Sequence, residues 1–333
     1  MHKTPFRQVL LGATAATTLL TLSACGGNVG GAAGASGEDF PTDPITLTVG
    51  QAAGGSTDLI ARALADGASE DLGVAVPVVN KPGANGALAT QEVAGAAADG
   101  YNLVLLNASL ITITPLAVGE EEAVSLDDVE VLKGLSQDDY VMVASKASGM
   151  KTLEDVKGNS GGFSYGTTGV GTGSQLAQTI LFEQADITGT EVPFDSGSPA
   201  LTAVLGDQVQ VATVQLGEAK PQIDAGEVVP VVVFSEERNE FLPEVPTAVE
   251  SGYDVPVAQY RAVAAPNGTP QEVKDRLVEA FDAAVATDAY REFNEQNLLT
   301  PHEISGEEVE AEWAELAERY AQLVEEHDIS LSE

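Results

Sequence analysis

Residues 45–72, ITLTVGQAAGGSTDLIARALADGASEDL, constrain this chain more than any other stretch. A short apolar run reads as a strand, Gly54-Gly55 as a turn, and the remainder as a helix with Leu59, Ile60, Ala63, Leu64 and Leu72 on one face. Ser56, Thr57 and Asp58 stand where N-cap and first-turn residues belong. A strand that passes through a glycine turn into a helix aims unpaired backbone N–H groups at one point, which makes an anion site. The same grammar opens many αβ proteins that bind no anion, and the first loop alone leaves both readings standing.

A second copy shifts the balance. Residues 162–184, GFSYGTTGVGTGSQLAQTILFEQ, again give a strand, a glycine loop (Gly166, Gly169, Gly171, Gly173) and a helix with Leu176, Ile180 and Leu181 on its apolar face. Two such loops, about a hundred residues apart, let two lobes each turn a helix N-terminus onto one ligand.

Between and beyond these loops, strands alternate with helices. Strands are expected at 76–79, 101–106, 140–144, 209–214, 228–234 and 258–264, with a turn-rich loop at 80–86 and an acidic loop region over 115–139. Helices are expected up to Ala98, from Ser198-Pro199, at 219–225, at about 271–286 and at 306–327. The last carries Val309, Trp313, Leu316, Tyr320 and Leu323 on a face expected to pack on the first lobe. Strand and helix in alternation imply right-handed βαβ units and an α/β fold.

The first 24 residues read as a targeting segment: Lys3 and Arg7 lead a short apolar run that ends in Leu22-Ser23-Ala24-Cys25. That tetrapeptide resembles a bacterial lipobox, whose cysteine becomes the lipid-modified mature N-terminus. Cys25 is the one cysteine of the chain, which excludes an intramolecular disulfide and a paired-cysteine metal or redox site. Residues 26–39, small and polar, read as the start of a flexible tether extending over 25–42. The 333 residues suffice for two lobes, expected at 43–145 plus 256–333 and at 146–255.

Acidic residues outnumber basic ones 51 to 15, a formal charge of −36, which argues against a nucleic-acid partner. An anionic ligand must then be caught by local N–H groups against a repelling long-range field. Signs of an enzyme are missing. His2 lies in the targeting segment, and His302 and His327 have no neighbouring Asp/Cys cluster. Neither GGSTD nor GTGSQ fits a nucleophile elbow, and Ser174 stands where a dinucleotide fingerprint needs its third glycine. No metal or other cofactor is expected.

Taken together, the segments AAGGSTD (52–58), NKPGANG (80–86), DGY (99–101), YGTTGVG (165–171), VPF with SPALTAVLGDQV (192–209), LPEVPTAVESGY (242–253) and APNGTP (265–270) resemble the substrate-binding receptors of tripartite tricarboxylate transporters, the TctC or Bug proteins. The match spans essentially the whole chain beyond the tether. The resemblance implies a type II periplasmic-binding-protein fold: two αβ lobes, crossover hinge strands and a ligand cleft between them. It implies a non-enzymatic receptor that delivers a small organic carboxylate to a membrane permease; the lipobox-like tetrapeptide and the tether add the expectation of a lipid anchor at Cys25 on the outer face of the cytoplasmic membrane, and a monomer is expected. A sensor lipoprotein of the same fold, or a hydrolase, are the alternatives.

On that reading, ligand contacts are expected from Ala53, Gly54, Gly55, Ser56 and Thr57 in the first loop and from Thr168, Gly169, Val170, Gly171, Thr172, Gly173, Ser174 and Gln175 in the second. Asp58 belongs to the same loop but suits a cap or orienting role, because its charge would repel a carboxylate. Departures from the family pattern occur at Gly50-Gln51, at Gln175 and at Thr213-Val214-Gln215, which carry over no particular substrate. Tyr260 and Arg261 lie in the otherwise uncharged run VPVAQYRAVAAP. Arg261 either clamps a distal ligand carboxylate, with Tyr260 as wall or hydroxyl donor, or pairs with a buried carboxylate of the protein.

Overall fold

The computed structural model describes residues 40–119 and 123–331. The targeting segment, Cys25 and residues 26–39 of the tether lie outside the described residues, as do Glu120, Glu121 and Glu122. In chain order the strands are β1 (Thr46–Val49), β2 (Val78–Asn80), β3 (Asn102–Asn107), β4 (Val129–Ser145), β5 (Ser164–Thr167), β6 (Thr190–Pro193), β7 (Val211–Gln215), β8 (Val228–Val233), β9 (Ala258–Pro266) and β10 (Thr300–Pro301). The helices are α1 (Ser56–Leu72), α2 (Ala87–Ala94), α3 (Ala108–Thr112), α4 (Thr114–Ala117), α5 (Leu153–Gly158), α6 (Gly173–Gln184), α7 (Gly197–Leu205), α8 (Leu216–Asp224), α9 (Gln271–Val285), α10 (Asp288–Asn297) and α11 (Gly306–Glu326).

The strands are ordered β2-β1-β3-β9-β4-β7-β5-β6. β1, β2 and β3 are mutually parallel, and so are β5, β6 and β7, as expected of βαβ units in two αβ lobes. β4 belongs to both lobes. Its residues from Val129 to Asp139 run antiparallel to β9, and those from Tyr140 onward pair with β7 and β8. The chain therefore passes from one lobe to the other inside a single strand. It returns between β8 and β9, where the Val257 N–H donates to the Phe234 carbonyl at 3.0 Å.

This strand corrects an expectation. Residues 115–139 were expected to form loops, yet β4 starts at Val129. Its first half is rich in polar residues because the strand crosses the cleft. There Ser136 and Asp138 are buried, and Lys133 is held by Asp282 at 2.6 Å. The pattern of a strand with two apolar faces holds only where both faces meet core, as at Tyr140, Val141, Met142 and Val143.

In the first lobe, Ile60 and Leu64 of α1 join Leu47, Leu103, Leu277 and Phe281 in one core. Gly67 permits the close approach of α1 to α9: a Cβ there would lie 2.8 Å from that of Ala284. In the second lobe, Leu176, Ile180 and Leu181 of α6 pack with Met142 and Val232, while Ala200 and Val204 of α7 pack on the opposite face with Val141 and Val214. α11 spans both lobes, where packing on the first alone was expected. Trp313 joins Leu106 and Ala264 of the first lobe, and Tyr320 joins Tyr140 and Met142 of the second. Among the described residues no helix is long and apolar enough to cross a membrane.

Candidate functional site

The head of α1 is built by Asp58. Its carboxylate accepts from the Gly54 N–H at 2.9 Å, from Arg62 Nη2 at 2.8 Å and from Asn80 Nδ2 at 2.8 Å. Burial opposes its ionisation, but the bonds from Arg62, Gly54 and Asn80 outweigh burial and hold its pKa below the usual carboxylate value. Asp58 thus shapes the loop. Ala53 and Gly54 are exposed at its tip, and Gly55 is the N-cap of the helix without any side-chain cap.

The next two residues turn inward. The Ser56 N–H donates to Glu218 Oε1 of the opposite lobe at 2.5 Å, and Ser56 Oγ donates to Asp138 Oδ2 at 2.8 Å. Thr57 Oγ1 donates to Asn107 Oδ1 at 3.1 Å and accepts from Arg261 Nε at 3.1 Å.

The second loop is folded by its own side chains. Gly169 and Gly171 take φ of 121° and 68°, a region that side chains rarely enter. Thr172 caps α6 by accepting from the Gln175 N–H. The Thr168 N–H donates to Ser174 Oγ at 2.7 Å, and the Gly171 N–H donates to Gln175 Oε1 at 2.8 Å. Gly173 lies against Tyr140, where an added Cβ would come within 2.7 Å of the ring. Two bonds then tie this loop to the first lobe: Asn85 Nδ2 at 3.2 Å and Thr114 Oγ1 at 3.0 Å both donate to the Gly171 carbonyl.

Between the two loops lies a small cavity of about 20 Å³, lined from one lobe by Gln51, Gly55, Ser56, Thr57, Asn85, Asn107 and Gln259, and from the other by Thr168, Ser196, Gly197, Gln215 and Glu218. That volume holds about one water molecule. A cavity of about 260 Å³ adjoins it beside Gly169 and Val170, sharing Gln51, Asn85 and Thr168 in its wall. Another of about 290 Å³ adjoins it through Ser56 and Glu218. The Oε1 atoms of Gln51 and Gln215, Oγ of Ser196 and Oε2 of Glu218 are buried without a hydrogen-bond partner. Unpaired buried polar atoms are costly, and four around one cavity mark a place built for a polar guest.

Arg261 and Tyr260 point to opposite faces of β9, as neighbours on a strand must. Arg261 is 1% exposed and donates from Nη1 to Asp138 Oδ2 at 2.6 Å, so it sits behind the head of α1 and outside the cavity wall. Tyr260 is away from the interior cavity, its ring centre 5.2 Å from that of His302, and burial pushes its hydroxyl up to about 12. The sequence did not mark Asn85, Asn107, Glu218 or Gln259 as site residues, and marked Gln215 only as a departure from the family pattern. Asn107 and Gln215 end strands β3 and β7, the carboxyl ends at which αβ folds place ligands, and that position was the available signal. Among the described residues no His/Cys/Asp/Glu group has metal-holding geometry.

Residues 60–329 match the tripartite tricarboxylate transporter family receptor, TctC. A UPF0065 protein of Agrobacterium vitis is 32% identical over 253 residues, covering 74% of this chain and 73% of its own length. The structure of the periplasmic binding protein BugD superposes with a TM-score of 0.83 at 29% identity, covering 88% of this chain and all of that one. MatC from Rhodopseudomonas palustris with bound malate superposes with a TM-score of 0.80 at 26% identity, covering 86% of this chain and 100% of its own. The matched family and the BugD neighbour are solute-binding proteins and not enzymes. The chain belongs to the tripartite tricarboxylate transporter receptor family, the TctC and Bug group of extracytoplasmic solute-binding proteins.

Proposed function

We propose that this chain is a monomeric receptor, held by lipid on Cys25 at the outer face of the cytoplasmic membrane, that closes its lobes on a small organic carboxylate and passes it to a tripartite tricarboxylate-type permease. The observation that carries the reading is the polar cavity whose wall comes from both lobes at once, with a helix N-terminus facing it and four unpaired buried polar atoms around it. MatC, of the same fold and 26% identical, holds malate, which supports a carboxylate as the guest. The loops contribute directly because no exposed cation lines the cavity, and a chain of formal charge −36 repels anions at long range. The sites of contact we assign to the guest are Ser56 and Thr57 with Thr168, reached when the lobes part.

Thermal melting and small-angle scattering against a panel of mono-, di- and tricarboxylates test this. A bound guest at a hundred times its Kd raises stability by about 2.7 kcal/mol and lowers the radius of gyration. If no member of the panel moves either quantity, the chain is not a carboxylate receptor.

A further inference from the structure

Glu218 occupies an unexpected position. It comes from the first turn of α8, yet its carboxylate reaches across the cleft to the Ser56 N–H at the head of α1. Two glycines make room for it. A Cβ on Gly197 would stand 1.6 Å from Glu218 Oε2, and one on Gly55 would stand 3.2 Å from Oε1. The carboxylate is seated between the N-termini of α1 and α7, so one anion already occupies the place where helix ends attract negative charge. Glu218 is half-buried, its Oε2 is buried and unpaired, and the residue lines the cavity.

The remaining unpaired atoms extend the same chemistry. Gln51 lines the cavity and gives its Nε2 to the Asn85 carbonyl, which leaves its unpaired Oε1 as an acceptor. Gln215 and Ser196, 6% and 5% exposed, line the same cavity and leave an Oε1 and an Oγ unpaired. Glu218 is the one titratable side chain in the cavity wall, and the nearest cation, Arg261, is already engaged by Asp138. A guest made only of carboxylates offers Glu218 Oε2 and the two amide oxygens no hydrogen, and it sets like charges together wherever Glu218 is ionised; of the four atoms only the Ser196 hydroxyl can donate to it.

We propose that Glu218 determines specificity and that the guest carries an ammonium group beside its carboxylate, an amino acid in place of a plain dicarboxylate. The inference rests on the carboxylate-receptor reading and names the guest within it. The ammonium gives its three hydrogens to Glu218 Oε2, Gln51 Oε1 and one of Gln215 or Ser196. The carboxylate lies on the free first-turn N–H groups of α1 beyond Ser56, of which Thr57 lines the cavity.

Calorimetry on matched pairs tests this: succinate against aspartate, glutarate against glutamate, propionate against alanine, and butyrate against 4-aminobutyrate. In at least one pair the amine-bearing member is expected to bind at least about tenfold more tightly, the worth of a charged hydrogen bond. Glu218→Gln, of the same shape, is expected to erase that preference, and Glu218→Asp to keep part of it, which separates lost charge from lost fold. Equal or tighter binding of the amine-free members, unchanged in Glu218→Gln, overturns the inference and leaves the receptor reading standing. A dicarboxylate that outbinds its amino analogue and tightens as pH falls indicates a protonated Glu218 donating to it, with Arg261 and Asp138 behind, and also overturns it. Failure of every carboxylate in both columns removes the receptor reading and this inference together.

Discussion

Arg261 and Asp138 form an ion pair 2.6 Å long, with side chains 0% and 2% exposed, across the junction of β9 and β4. The pair also locks the binding loop, because Asp138 accepts from Ser56 and Arg261 donates to Thr57. Arg261 is thus a carrier of shape for the head of α1, and its Nη2 is left without a partner.

Removing one member of this pair leaves an uncompensated buried charge. Arg261→Ala is expected to lower unfolding free energy by about 3–5 kcal/mol, read by urea denaturation of the ligand-free protein. Arg261→Met combined with Asp138→Leu is expected to recover much of that loss. A single variant as stable as the parent contradicts the pairing.

Gly171 joins the lobes through its carbonyl, and its φ of 68° suits glycine. A Cβ there would lie 2.8 Å from Thr114 Cα of the facing lobe. Gly171→Ala is expected to cost about 1–2 kcal/mol in backbone strain and to impede closure. Scattering should then show an expanded protein at ligand concentrations that compact the parent. Gly169→Val, with φ of 121° and the Phe194 carbonyl 3.2 Å from its new Cβ, is expected to weaken binding as well.

Burial pushes the Glu218 carboxyl up to about 7, with the Ser56 N–H and Arg261 opposing and Asp138 adding to the rise. A carboxyl raised on folding binds its proton more tightly in the folded state. Its favourable contribution is therefore complete below the unfolded value near 4.5 and is lost as pH rises to about 7. Melting temperatures of the parent and of Glu218→Gln, followed from pH 4 to 8, should diverge in slope across that window. Parallel curves would show that the carboxyl titrates normally.

The anchor rests on Leu22-Ser23-Ala24-Cys25. Cys25→Ser is expected to move the protein from the membrane fraction to the soluble fraction. Intact mass of the membrane-extracted parent should show the added acyl chains, and an unmodified thiol sinks the idea.

Periodicity and turn chemistry in the sequence determined both strand-loop-helix units, the α/β class and, through joined motifs, the family. These features are local: α1 and α6 follow from apolar spacing and from Gly54-Gly55 and Gly169 to Gly173, where glycine permits the positive φ that the turns at Gly54, Gly169 and Gly171 adopt. Only the tertiary structure decided what the loops face. The polar first half of β4 gives no strand signal because its neighbours are the cleft and a buried ion pair, not a uniform core. The sequence leaves Arg261 facing either ligand or protein, and only the tertiary structure brings Asp138, 123 residues away in sequence, beside it. Glu218, one of 51 acidic residues, becomes distinct only when α8 carries it 162 residues back to the Ser56 N–H and two glycines from opposite lobes close around it. Burial and pairing across such separations depend on how the lobes meet, which no short window of sequence encodes.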